Sequence, residues 1–272
     1  MTQTQLVVFD LDGTLLETGH RIEPGTAADV AALVADGMAV ALASARLDES
    51  MAIVNQAIGP RMHRISYNGA LTTLSDGTVV HEMDFEITPE LSQALARLAE
   101  HGAFHAYTAD GRWLAIGEQP RIDREEHDTW CTAQVRARGI EPLELAGQRC
   151  LKVVCDGTPE ALAELEATVD GLDGVNITHS GLTLMDIWPS TSGKANGLLA
   201  LCERLGIGPE QVLAVGDTAT DVPMLQLAGQ SIGVMPCAPV VQQAADHVVE
   251  GPGSPALFDL IRRLTGLPPR RD

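Results

Sequence analysis

With 272 residues the chain is long enough for one large domain or two modest ones, each with its own core. Acidic residues outnumber basic ones 37 to 18, and the resulting net charge of −19 argues against nucleic acid or an anionic membrane surface as a partner. A phosphorylated small molecule stays open, because local donors and a metal outweigh a surface field that salt screens over about 8–10 Å. Five cysteines, odd in number and without a CxxC pair, indicate neither a disulfide framework nor a zinc ribbon. No basic stretch leads into an apolar segment at the N-terminus, and no apolar run approaches the roughly 20 residues a bilayer requires. The expectation is a cytoplasmic protein with reduced thiols.

Along the chain, LVVF at 6–9, the amphipathic stretch GTAADVAALVADG and MAVALAS at 38–44 read as strand, helix, strand. Short continuous apolar strands predict a parallel sheet covered on both faces. A hairpin is expected over 71–85 around Ser75-Asp76-Gly77, followed by a helix from about Thr88, its N-cap, to His101, stopped by Gly102. AFHAYT and RWLAIG form a second hairpin across Ala109-Asp110-Gly111, and residues 118–148 read as irregular. CLKVVC, PEALAELEATV, VNITHS and TLMDIW then predict a strand, a helix and two strands joined at Gly181. The α/β alternation returns with VLAVG at 212–216, SIGVM at 231–235, HVV at 247–249 and a last helix after Gly253. Hairpins with helices make an α+β unit, whereas the flanks make a doubly wound parallel α/β sheet. The predicted organisation is a core of residues 1–82 and 187–272 interrupted by an insertion at 83–186.

Chemistry concentrates where the predicted strands of the parallel sheet end, the edge at which such sheets bind ligands. In VVFDLDGTLL, Asp10 and Asp12 follow an apolar run. Strand side chains alternate faces, so both carboxylates are expected on one side of the strand tip. Two like charges that close need a cation, a donor or a shared proton. Ser44-Ala45-Arg46, Lys194 at a helix start and Gly216 to Asp221 supply further polar groups at the same kind of edge. An EF-hand loop is excluded, since its glycine and glutamate positions hold Leu15 and Arg21.

DLDGTLL, ASAR, the lysine of STSGKANG and GDTATD, in that order, resemble the four motifs of the haloacid dehalogenase-like superfamily of aspartate-nucleophile phosphatases. SYNGA at 66–70 and the large insertion resemble its Cof-type subgroup, which includes sugar phosphate phosphatases with an α/β cap. The resemblance implies a Rossmann-like core, an inserted cap that sets specificity, and Mg2+, which suits an all-oxygen site. Asp10 would be the nucleophile and Asp12 the acid and base, carrying a proton at the start. The family pattern gives the metal Asp10, the Asp12 main-chain carbonyl and Asp217, with Asp221 holding metal-bound water or Lys194. Thr220 stands where the usual pattern has asparagine. Phosphate would be held by the loop of Leu11, Gly13 and Thr14, by Ser44, Ala45 and Lys194, and by Asn68 and Gly69.

Other readings stand beside these. Arg46 serves either substrate or a salt bridge, and Asn68 either a turn or substrate. His105, Tyr107, Trp113, His179 and Trp188 belong first to packing. Leu198, Leu199, Leu201 and Leu205 form a core stripe. The expected activity is Mg2+-dependent hydrolysis of a small phosphate monoester, by a monomer or homodimer. The rivals are a phosphomutase of the same chemistry and a low-turnover phosphometabolite-binding module.

Overall fold

The computed structural model describes residues 3–17 and 22–270; Arg21, used above against an EF-hand, lies outside them. The first part of the chain forms β1 (Leu6–Asp10), α1 (Pro24–Ala35), β2 (Ala39–Ala43), α2 (Asp48–Ile58), β3 (His63–Ser66), β4 (Leu71–Thr73) and β5 (Val79–Glu82). The insertion follows with β6 (Phe85–Glu86), α3 (Pro89–His101), β7 (Ala103–Thr108), β8 (Trp113–Gly117), α4 (Gln119–Thr129) and β9 (Val135–Ala137). It continues through α5 (Pro142–Leu145), β10 (Arg149–Asp156), α6 (Pro159–Val169), β11 (Val175–His179) and β12 (Leu184–Pro189). The chain closes with α7 (Lys194–Leu205), β13 (Val212–Gly216), α8 (Val222–Leu227), β14 (Gln230–Met235), α9 (Pro239–Ala244), β15 (His247–Glu250) and α10 (Pro255–Thr265).

Two compact units result: Met1–His81 with Gly193–Asp272, and Glu82–Ser192. The return crossing follows residue 192 rather than 186, because β12 pairs with β10 as far as Ile187 and with β11 as far as Pro189. Among the described residues the first unit carries an eight-stranded sheet ordered β15-β14-β13-β1-β2-β3-β4-β5. β1 runs parallel to both β13 and β2, and the chain leaves it in both directions, which makes the end of β1 a topological switch point. All five residues of β1 are buried. Leu6 and Val8 join a cluster with Leu198, Leu201 and Met224, while the Phe9 ring lies 6.2 Å from that of Phe258. Alternate side chains of one apolar strand thus enter different cores, the signature of a sheet covered on both faces. Leu199, placed in the stripe by the sequence, is 43% exposed and turns away from it.

In the second unit the sheet order is β11-β12-β10-β7-β8-β9, with β6 on β10. Thr88 caps α3 by accepting from Leu91 N, as its position before Pro89 suggests. The apolar face of α3 and α6 covers Phe104, Val153, Cys155, Met185 and Ile187. The segment read as irregular contains α4, and β9 pairs with β8 in parallel, so the sheet is mixed. Helix α4 buries only Ile122 and Thr129, too few apolar positions to show a period. It is held by polar contacts: Glu125 accepts from the Tyr107 hydroxyl at 2.7 Å, and Arg121 and Arg124 reach Asp156.

His105 and Trp113 pack in this unit as expected, with Trp113 Nε1 donating to His105 Nδ1 at 3.3 Å. Full burial pushes the His105 imidazole down to about 4. The unfolded chain therefore binds a proton that the native chain refuses between about pH 6.5 and 4, and stability falls on acidification through that window, by up to about 3 kcal/mol. Thermal unfolding of wild type and His105→Gln at pH 7 and pH 4.5 should show a smaller acid-induced drop in the variant; equal drops would dissociate His105 from it.

Candidate active site

Asp10 ends β1, and the chain turns at once. The Leu11 carbonyl accepts from the amides of Thr14 (3.2 Å), Leu15 (2.9 Å) and Leu16 (2.8 Å), and Gly13 N donates to Leu16 O at 2.9 Å. Gly13 sits at φ +86°, and a Cβ there would lie 2.4 Å from Asp217 Oδ2. Glycine is required for the turn and also for the approach of Asp217. Thr14 Oγ1, fully buried, donates to Asp217 Oδ1 at 2.8 Å and ties the loop after β1 to the loop after β13.

Lys194, the first residue of α7, places Nζ 2.5 Å from Asp10 Oδ1 and 2.6 Å from Asp221 Oδ1. The other Asp221 oxygen accepts from Asp217 N, Thr218 N and Thr218 Oγ1 at 2.9–3.1 Å. Asp221 thus anchors both the lysine and its own loop. One carboxylate oxygen from each of Asp10, Asp217 and Asp221 lies within 4.8 Å of the others. Three carboxylates face one ammonium in a buried place. Burial, opposed by Lys194 and reinforced by Asp221 and Asp217, pushes Asp10 well above the usual carboxylate range. Burial also raises Asp217. Burial alone would lower Lys194, but Asp10 and Asp221 outweigh it and hold its pKa above the ordinary lysine value. The donors are hard oxygens and the charge surplus is negative, so this group fits a divalent cation.

Asp12 does not share this cluster. The strand ends at Asp10, so two-residue alternation does not extend across the turn, and the Asp12 side chain is 44% exposed. Its carboxylate is held by Arg46, with Nε to Oδ2 at 2.8 Å and Nη2 to Oδ1 at 2.7 Å. In this structure a guanidinium compensates the charge of Asp12. Arg46 Nη1 donates to Ser50 Oγ at 3.3 Å, and Arg46 N to Ser44 Oγ at 3.2 Å. Ser50 escaped the reading; its position four residues after Arg46, on the first turn of α2, was the available signal.

Ser44 is buried at the end of β2, its amide bonded to Ile65 O and its carbonyl to Asn68 N. Ala45 is exposed beside it. Tyr67, Asn68 and Gly69 all have positive φ, and a Cβ on Gly69 would lie 2.0 Å from Gly193 O, against the residue that precedes Lys194. Backbone in this region is costly for non-glycine residues and clusters at functional sites. Asn68 Oδ1 is buried without a hydrogen-bond partner. Thr220 is exposed, with its hydroxyl 2.8 Å from that of Thr218 and not joined to the carboxylates.

Fold and site together define a doubly wound α/β enzyme core with an aspartate–lysine centre at its switch point. A family model described as haloacid dehalogenase-like hydrolase matches residues 7–254. The chain belongs to that family. The HMP-PP phosphatase of Cronobacter sakazakii is 26% identical over 236 residues, which are 84% of this chain and 83% of that protein. A solved haloacid dehalogenase-like hydrolase from Bacteroides thetaiotaomicron has the same fold, with a TM-score of 0.84 at 21% identity over 96% of this chain and 100% of the other. A subclass IIB sugar phosphatase of this superfamily reaches 0.75 at 19% identity, over 96% and 98%.

Replacing Lys194 by methionine leaves buried carboxylates unopposed. Lys194→Met should cost about 3–5 kcal/mol at pH 7, and less at pH 5, where a carboxylate takes up a proton. Denaturant melts at the two pH values would measure it; an equal loss at both would place the damage in packing instead.

Proposed function

We propose that this protein is a Mg2+-dependent phosphatase that hydrolyses a small phosphate monoester, a sugar phosphate or similar metabolite, through an aspartyl-phosphate intermediate. The observation that carries the reading is Lys194 bridging Asp10 and Asp221 beside Asp217. A phosphate monoester dianion repels an attacking carboxylate, and a site that brings them together must supply positive charge. Asp10, Asp217 and the Asp12 main-chain carbonyl would hold Mg2+, which supplies charge neutralisation for the phosphoryl group when bound. Thr220 has no part in this assignment.

Asp10 attacks phosphorus while the substrate's alcohol departs, and Lys194 holds the nucleophile and faces the developing charge. Ser44 already accepts from Arg46 N, which leaves its hydroxyl proton for a phosphoryl oxygen. Asp12, opened from its pair with Arg46 and carrying a proton taken from solvent, gives that proton to the departing oxygen and then takes one from the water that hydrolyses the intermediate. The phosphatase and sugar phosphatase names of the relatives support this chemistry. The inserted unit is assigned the choice of substrate, because the core residues address only the phosphoryl group. Cytoplasmic location is part of the same reading, supported by the buried, unbridged thiols of Cys150, Cys155 and Cys202. Among the described residues no helix is long and apolar enough to cross a membrane.

Purified protein with Mg2+ should release phosphate from an aryl phosphate and from members of a sugar phosphate panel. A chelator should stop release, and Asp10→Asn should remove nearly all of it. A residual rate in Asp10→Asn equal to wild type would defeat the covalent reading. Calorimetric titration with Mg2+ should also show tight binding that Asp217→Asn weakens.

A further inference from the structure

The Asp12–Arg46 contact has a direction. Arg46 is the more buried partner, with its side chain 10% exposed against 44% for Asp12. Arg46 is fixed at both ends: Nη1 of the guanidinium donates to Ser50 Oγ, while the main-chain amide donates to Ser44 Oγ and the main-chain carbonyl accepts from Tyr67 N at 2.9 Å. Ser50 itself is fully buried. The fork of Nε and Nη2 is spent on both oxygens of one carboxylate. A planar fork engaged bidentately sets the plane and position of its acceptor as well as its charge.

From this we infer that Arg46 is a positioning residue for Asp12 in the second half of the reaction, rather than a ligand of the substrate phosphate. The inference rests on the covalent reading above. The Asp12 side chain is 44% exposed, so its carboxylate is reachable by water while Arg46 holds it. In that half-reaction a water oxygen attacks phosphorus and the bond from phosphorus to the Asp10 oxygen breaks. Asp10 recovers its carboxylate, inorganic phosphate departs, and the water proton passes to Asp12. The base must be aimed when the water arrives, and the fork holds its plane and position. The first half-reaction with an aryl phosphate needs no proton on the leaving group, so it should not depend on Arg46.

Stopped-flow release of nitrophenolate from p-nitrophenyl phosphate, with Mg2+ present, separates the two halves. For Arg46→Gln, the first-turnover rate should stay within about twofold of wild type while steady-state turnover falls roughly 10–100-fold. Nitrophenolate should then appear as a burst of about one equivalent per enzyme, with acid-stable trapping of the phosphoenzyme. Arg46→Lys, which keeps the charge but cannot span two oxygens, should remain slow, and Ser50→Ala should shift the same ratio by a smaller factor. A raised KM with a slower first turnover would make Arg46 a phosphate ligand and overturn the inference, as would recovery of wild-type turnover in Arg46→Lys. An unchanged ratio in Arg46→Gln and Ser50→Ala would overturn it too. Wild-type turnover that is undiminished in Asp10→Asn would overturn the covalent reading instead, and this inference with it.

Discussion

The contact on which the site depends is the buried ammonium of Lys194 between Asp10 and Asp221. It joins residues 184 and 27 positions apart in the chain, so neither element can be misplaced without exposing a charge to an apolar surrounding. Buried ion pairs of this kind contribute little net stability, since desolvation offsets attraction; what they supply is a unique arrangement. Here the arrangement has a surplus. Three carboxylates surround one ammonium, and the excess negative charge is what fits the site to a cation.

The two aspartates of DLDG are chemically alike and physically opposite. Asp10 is 4% exposed and shares its surroundings with other anions, whereas the Asp12 side chain is 44% exposed and pairs with a guanidinium. The turn that begins directly after Asp10 separates these environments. Such a division gives two carboxylates on one short stretch of chain separate electrostatic surroundings.

Much of the core was legible because its signals are local. Continuous apolar runs in β1, β2 and β13 report burial on both faces, and the polar residues at their ends report the binding edge. Thr88 followed by proline reports a helix start. What escaped is non-local or polar. Helix α4 is anchored by Tyr107, Asp156 and two arginines rather than by an apolar stripe, so periodicity had nothing to register. The return crossing was placed early because β12 carries on as a strand past 186. The expectation that Asp10 and Asp12 lie on one side failed because strand geometry stops at the first of them. Arg46 was recognised as a candidate with two readings, and only the fold could bring it to Asp12, 34 residues away.

The insertion also bears on how the site comes together in time. Closing a flexible loop between the loop after β3 and Lys194 would carry an entropic cost that rises slowly with its length. The stretch Glu82–Ser192 instead forms its own compact unit, with its own apolar cluster around α3 and α6. Once that unit is folded, its two ends are held at a set distance, and the remaining search for Asp10 by Lys194 is that of a much shorter chain. An insertion of this kind is a folding shortcut: it lets an aspartate near the N-terminus find a cation from the far half of the sequence without a long disordered excursion between them.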